Sequence, residues 1–262
     1  MLKRTASFNS YIHKTPSYSL SRSKSFHSLP PDNILKINVN YQNPRLINGY
    51  VPVIRETNIE KGIIAVNQIY QSIKTDGWIS HISNTGDISD ITKREKEIYK
   101  KQEKTREDLW NMRCCITYNL LNKMQKLLNL LKKMGDTQNH TCFVCYNNTK
   151  PTGVILIRKY HSQHSRVKAY YPEIIYLITH PGIQNCAYLL MEKAVNISYQ
   201  MGYHGKLKLT IATDELSPKV YEKMGFIKMK EPDNMKMTLD PNGNKAWIFS
   251  PSHGGYRFTG TY

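Results

Sequence analysis

Between positions 109 and 134 apolar side chains recur every three or four residues: Leu109, Met112, Ile116, Leu120, Met124, Leu127, Leu131 and Met134. That spacing lines one face of a long amphipathic helix, which Gly135 ends. Just before it, "KREKEIYKKQEKTRED" (93–108) is almost wholly charged and predicts an exposed helical stretch whose charges solvate a surface. After Gly135 the period shortens. "TCFVCY" (141–146) and "GVILIRKY" (153–160) read as strands, joined into a hairpin by the turn cluster "NNTKPT". "EIIYLIT" (173–179) predicts a third strand, reached through a basic, His-containing loop at 160–172. A helix follows over 182–201, closed by Gly202, and then a strand at "KLKLTIA" (206–212). "SPKVYEKM" predicts a short helix stopping at Gly225, and "NMKMTLD" and "KAWIFS" add two late strands around the turn "PNGN". This order predicts a mixed α/β sheet with crossover helices.

The first half is less patterned. Residues 34–82 mix short apolar runs ("ILKINV", "YVPVI", "KGIIAVNQIYQSI") with Pro and Gly breaks and carry no clear motif. Residues 1–31 hold eight serines, five Lys or Arg and no acid before Asp32. Within them "RTASFNS" (4–10) recurs as "RSKSFHS" (22–28). Such a composition buries too little apolar surface to fold alone, so this leader is expected to be disordered. It fits an inert tail, phosphorylatable sites with Arg three residues before each Ser, a transit peptide, or the leader of a bacterial secreted effector acting inside a host cell; otherwise the chain is expected in the cytoplasm. The domain reading is therefore a leader at 1–31, an N-terminal extension at 32–108, an α/β domain at 109–250 and a tail at 251–262.

Composition adjusts this picture in three ways. With 40% apolar residues in 262, the chain has enough for a sizeable core. The net charge of +17 implies attraction to polyanions such as nucleic acid, an acidic membrane leaflet, an acidic protein or a phosphorylated cofactor; a Lys-rich solvated surface is the competing explanation. No specific nucleic-acid motif accompanies the charge. Five cysteines without framework spacing fit reduced core thiols, and Cys142 and Cys145, three apart on a strand, point to opposite faces, so no metal is expected. No apolar run approaches about 18 residues, so no transmembrane segment is expected.

The candidate chemistry begins at "THPGIQNCAYLLMEKAV" (179–195), where a strand, a Pro-Gly break and a helix succeed one another. That arrangement aims backbone N–H groups at an anion such as a pyrophosphate, although it also describes an ordinary turn between a core strand and a core helix. Gly182 is its one glycine; Asn185 tolerates left-handed backbone, and Cys186 and Ala187 are small enough to leave the backbone open.

A second segment, "DELSPKVYEKMGF" (214–226), follows the next strand, with Tyr221 four residues before Gly225 and Phe226 after it. Residues 141–230 resemble the GNAT superfamily of acetyl-CoA-dependent N-acetyltransferases. Segment 214–226 is similar to the family's Asn-x-x-Ala-x-x-Phe-Tyr-x-x-x-Gly-Phe pattern, with Asp214 in the Asn place and Ser217 in the Ala place. The opening loop is similar to its Gln/Arg-x-x-Gly-x-Gly/Ala cradle in either of two registers, which put Gly182 or Gln184 first. The resemblance implies a GNAT-like acyl-CoA N-acyltransferase fold, a central twisted, mostly antiparallel sheet with flanking helices. It implies acetyl-CoA as co-substrate, with no metal, and an amine acceptor that is a protein or a small molecule, an acidic or host-protein partner among the options.

It also implies that the pantetheine arm lies along 173–179, where that strand splays from 206–212, and that cofactor contacts come from Leu177, Ile178, Thr179, Gly182, Gln184, Asn185, Cys186, Ala187, Tyr188 and Asp214. Deprotonating a lysine-type amine at pH 7 costs about 4–5 kcal/mol, which a general base lowers. Glu173 is the candidate and His180 the second. A neutral tyrosine can protonate a thiolate leaving group, and Tyr221 is the candidate. The alternative is a binding module of the same fold that has lost its cofactor and uses its basic surface on nucleic acid or anionic membrane.

Overall fold

A computed structural model describes residues 52–75, 97–98, 100, 103, 105–159, 171–183, 186–211, 217–229 and 235–260. The expectations placed on 1–31, on the loop 160–170 and on Gln184, Asn185 and Asp214 lie outside the described residues. In chain order the elements are β1 (Val53–Thr57), α1 (Ile59–Thr75), α2 (Arg106–Met134), β2 (His140–Asn147), β3 (Lys150–Arg158), β4 (Glu173–Thr179), α3 (Cys186–Ser198), β5 (Leu207–Thr210), α4 (Ser217–Lys223), β6 (Ile227–Lys228), β7 (Lys236–Leu239), β8 (Trp247–Ser250) and β9 (Gly255–Phe258).

Seven strands form one sheet in the order β1-β2-β3-β4-β5-β7-β6, and β8 pairs with β9 in a second, two-stranded sheet. Every neighbouring pair is antiparallel except β4 and β5, which run parallel because α3 carries the chain across between them. This is the mixed sheet that the sequence pattern predicts, mostly antiparallel and flanked by helices as the family resemblance implies.

Strands β2 and β3 read as continuous apolar runs because both their faces are covered. On one face α1 and α2 pack Val66, Ile69, Trp110, Tyr118, Leu121 and Leu128 against Cys142, Val144, Val154 and Leu156. On the other, α3 packs Leu190, Met191 and Ala194 against Phe143, Cys145, Ile155 and Ile157. Cys142 and Cys145 fall into different cores, as a strand's alternation requires.

Helix α2 begins three residues before the predicted 109. Thr105 and Asp108 form a capping box, each side chain accepting the other's backbone N–H at 3.1 Å. Gly135, at φ +69°, closes it. Its buried stripe is rotated from the predicted face: Leu109, Ile116 and Leu127 are half-buried and Met134 is 67% exposed, whereas Trp110, Cys114, Tyr118, Leu121 and Leu128 are sealed. Counting aliphatic residues alone leaves out the aromatic rings and thiols that face the sheet. In the charged stretch ahead of α2, Ile98 is fully buried.

Three segments are more integrated than sequence alone suggests. Strand β1 and helix α1, inside the expected N-terminal extension, supply an edge of the main sheet and half of one core. The two late strands do not pair with each other: β7 lies between β5 and β6, and β8 takes β9. The residues expected as a tail form β9, whose backbone is held by side chains of α3. Asn196 Oδ1 accepts the Tyr256 N–H at 2.6 Å and its Nδ2 donates to the Tyr256 carbonyl at 3.0 Å, while Glu192 Oε2 accepts the Phe258 N–H at 3.2 Å.

Candidate active site

The parallel contact between β4 and β5 is short. Glu173 pairs with Lys208 and Ile174 with Leu209, the Lys208 N–H reaches Pro172 at 3.0 Å, and the pairing stops there. On its other side β4 stays paired with β3 as far as Thr179. The cause of the divergence is visible in that register: Leu156 opposes Tyr176 and Ile157 opposes Ile174, which leaves Ile175 as an extra residue. A bulge of this kind bends its strand. Beyond Leu209, β5 stays with its other neighbour, Thr210 opposite Lys236 and the Ile211 N–H donating to Met235 at 2.7 Å. A wedge therefore opens between Ile175–Thr179 and Thr210–Ile211, with its vertex at Glu173–Ile174.

The edge of β4 that lines the wedge can be read from the ladder. His180 N–H donates to Thr152 at 2.8 Å, so the hydrogen-bonded pairs with β3 fall at 180, 178 and 176. The N–H and C=O groups of Leu177 and Thr179 consequently face the wedge. Leu177 packs its side chain on the α3 side, and Ile178 buries its own on the α2 side.

At the mouth, Pro181 and Gly182 form a tight turn in which the Ile183 N–H donates to the His180 carbonyl at 3.0 Å. The Gly182 N–H donates to His180 Nδ1 at 3.2 Å. Two of the amides expected to cradle an anion are thus already bonded within the protein, so Gly182 contributes to the shape of the turn rather than a free donor. Helix α3 is described from Cys186, and residues 181–183 form the turn rather than the expected start of helix at 182. The first N–H groups of a helix have no carbonyl within it to bond, and the first described residue of α3 is Cys186. Cys186 is buried beneath the turn and the Tyr188 ring stacks on Phe258 at 5.0 Å, toward β9.

His180 is buried, and that burial, followed by the nearby Arg113 charge on α2, pushes its pKa down to about 4. Its imidazole is neutral at pH 7, with Nδ1 occupied as an acceptor, which makes it a poor base. Burial lowers Arg113 to about 10, still cationic at neutral pH. Glu173 stands at the vertex of the wedge with Arg158 Nη1 at 3.2 Å and Lys208 Nζ at 4.0 Å, both against Oε2, in a polar row across β3, β4 and β5. Tyr221, half-buried on α4, sets its ring edge-on to Phe226 at 5.7 Å, and its carbonyl accepts the N–H groups of Met224 and Phe226. Gly225 takes φ +90°, and a Cβ there would lie 2.2 Å from Asn244 Nδ2, so the glycine of the Tyr-x-x-x-Gly-Phe segment serves both the helix end and the docking of the later chain. Sequence reading missed the Ile175 bulge, the Arg113 charge felt by His180 and the cations flanking Glu173; only the bulge decides where the wedge opens, and no residue type announces it.

Residues 99–226 match the model of the Acetyltransferase (GNAT) family. Over this segment the chain is similar to the GNAT acetyltransferase family, and the match makes it an acetyl-CoA-dependent N-acetyltransferase with acetyl-CoA as co-substrate. GNAT structures of similar outline include the PaiA N-acetyltransferase from Thermoplasma acidophilum in complex with coenzyme A, at 15% identity and TM-score 0.40 over 72% of this chain and 99% of that one. The GNAT acetyltransferase of Streptococcus pneumoniae is 17% identical, with TM-score 0.37 over 72% and 98%. The PseH N-acetyltransferase of Campylobacter jejuni is 14% identical, with TM-score 0.37 over 72% and 99%. No curated protein matches the sequence. Among the described residues no group of three or more His, Cys, Asp or Glu is placed to hold a metal ion, and no helix is long and apolar enough to cross a membrane.

Proposed function

We propose that this GNAT enzyme holds acetyl-CoA in the wedge between β4 and β5 and passes its acetyl group to an amine at the vertex. The observation that carries this reading is the end of β4–β5 pairing at the Ile175 bulge, which leaves the N–H and C=O groups of Leu177 and Thr179 facing a gap. An amide-bearing arm fits such an edge as an added strand. The diphosphate would lie over the first turn of α3, beside Cys186, Ala187 and Tyr188, with Gln184, Asn185 and Asp214 as further contacts.

Acetyl-CoA supplies an activated thioester; the chain supplies position and proton handling. Glu173, fixed by Arg158 and Lys208, takes the proton of the incoming ammonium directly or through a water, offsetting the roughly 4–5 kcal/mol that deprotonation costs at pH 7. Tyr221 donates its phenolic hydrogen to the departing sulfur. His180 holds the Pro181–Gly182 turn and takes no part in proton transfer.

The acceptor is an amine on a protein or a small molecule, and the net charge of +17 favours one bearing acidic or phosphorylated groups. Action as an effector delivered to a host cell rests on the leader at 1–31 and is tested by whether the protein reaches host cytosol only when those residues are present. The occupied Gly182 and Ile183 amides favour the second reading, a cofactor-free module that binds nucleic acid or anionic membrane. Calorimetry separates the two. Micromolar acetyl-CoA binding, about −8 kcal/mol, supports the enzyme; no heat with acetyl-CoA alongside salt-sensitive polyanion binding supports the module.

A further inference from the structure

The first turn of α3 rests on a pair of thiols. Cys145 on β2 is paired across the hairpin with Gly153 on β3, and the Cys186 sulfur lies over that glycine, where an added Cβ would stand 2.6 Å from Sγ. Thr152 closes the cluster: its hydroxyl donates to the Cys145 carbonyl at 3.2 Å and lies 3.7 Å from Cys186 Sγ. Directly opposed residues of an antiparallel pair have Cα atoms about 4.5–5.5 Å apart. Cys145 and Cys186, both buried on the α3 face, therefore meet above Gly153, and their thiols are hydrogen-bonded. The remaining cysteines, Cys114, Cys115 and Cys142, lie in the core on the far side of the sheet.

We propose that Cys145 and Cys186 form an oxidisable dithiol site for a small hydroperoxide, and that their disulfide ties the first turn of α3 to β2. The hydrogen bond from Cys186, opposed by burial and aided by Thr152, holds the Cys145 thiol below the usual range, while the same contact and burial raise that of Cys186. Cys145 is thus the attacking sulfur and Cys186 the resolving one. The Cys145 thiolate attacks one peroxide oxygen, the O–O bond breaks, and the other oxygen leaves as alcohol or water with the proton Cys145 released. Cys186 then attacks the Cys145 sulfenic sulfur; the S–S bond forms, the S–O bond breaks, and the hydroxide departs as water with the Cys186 proton. Two thiols lose two electrons and one peroxide gains them.

An S–S bond of about 2.05 Å is shorter than any thiol–thiol contact, so oxidation draws the first turn of α3 toward β2 and shifts the amides of Cys186 and Ala187. The resulting loss of acetyl-CoA affinity, about tenfold (~1.4 kcal/mol), rests on the function proposed above.

The test uses the full chain, reduced, treated with hydrogen peroxide, alkylated and mapped by mass spectrometry, with acetyl-CoA calorimetry before and after. A Cys145–Cys186 linked peptide, two hydrogens lighter and lost on reduction, is expected. Cys145→Ser should abolish the link and keep acetyl-CoA affinity constant through peroxide treatment. Oxidation of exposed Met134 with no linked peptide, or linkage through other cysteines, overturns the proposal; a linked protein with unchanged acetyl-CoA affinity overturns its coupling to α3. If neither form binds acetyl-CoA, the acetyl-transfer reading falls while the linked peptide still upholds the dithiol.

Discussion

Gly153→Ala probes the seat of α3 directly. The added methyl would stand 2.6 Å from Cys186 Sγ, 3.0 Å from Leu190 Cδ1 and 3.3 Å from the Ile178 carbonyl, where ordinary contacts begin at 3.4 Å. The sulfur alone must retreat by 3.4 − 2.6 = 0.8 Å. Swinging the thiol aside does not suffice, because Leu190 one turn further along is also too close and the Ile178 carbonyl is backbone. Both α3 side chains must give way together, so the helix is expected to lift from β3. Overpacking of a sealed core costs about 1–3 kcal/mol, set against a gain of about 0.4–1 kcal/mol from restricting the unfolded chain, so a net loss of about 1–2 kcal/mol is expected in urea unfolding. Because the lifted residues are those proposed to meet the diphosphate, acetyl-CoA affinity should fall by about tenfold or more as well. The double variant with Cys186→Ala removes the worst contact and should recover part of the stability, a coupling readable in a double-mutant cycle. A Gly153→Ala protein as stable as the parent, or one not rescued at all by Cys186→Ala, would refute this account of how the helix is seated.

Other expectations follow from the same geometry. Tyr221→Phe keeps the ring against Phe226 and should lower kcat by about 10²-fold or more with little change in melting temperature; unchanged turnover removes the acid role. Glu173→Gln should lower kcat/KM at pH 7 at least about tenfold, with part of the loss recovered at high pH where the amine deprotonates unaided; a flat deficit across pH would leave Glu173 as an ion-pair anchor only. Asn196→Ala strips both partners from Tyr256 and should destabilise by about 1–3 kcal/mol in denaturant unfolding. His180 has a folded pKa of about 4 against 6.5, so the unfolded chain binds the extra proton between those values: its contribution is full above pH 6.5 and lost as pH falls toward 4, up to roughly 3 kcal/mol. His180→Asn should flatten that part of the stability–pH curve.

What the sequence disclosed was what local pattern governs. The hairpin of β2 and β3, the helix ended by Gly135 and the Tyr221–Gly225–Phe226 segment all announce themselves through period, turn residues or capping. The face of α2 was read about one residue off because Trp110 and Tyr118 carry more buried area than the leucines counted beside them. Strand β9 was invisible because its backbone partners, Glu192 and Asn196, sit on a helix some sixty residues earlier. The same holds for the wedge. Ile175 is one apolar residue among several in "EIIYLIT", and only its pairing with β3 reveals that it is surplus. His180 likewise reads as a loop histidine until its contacts with Gly182 and Thr152 show that it consumes or fixes the amides around it.

The short parallel seam between β4 and β5 also bears on mechanics. Among the described residues the strands β1-β2-β3-β4 meet β5-β7-β6 in the sheet through two residue pairs, backed by the core under α3. A guest bridging the open part of the seam would act as mortar between two stiff slabs. Amide hydrogens of Leu207–Thr210 should then exchange with solvent more slowly once acetyl-CoA is added, while those of the hairpin, clamped on both sides already, keep their pace.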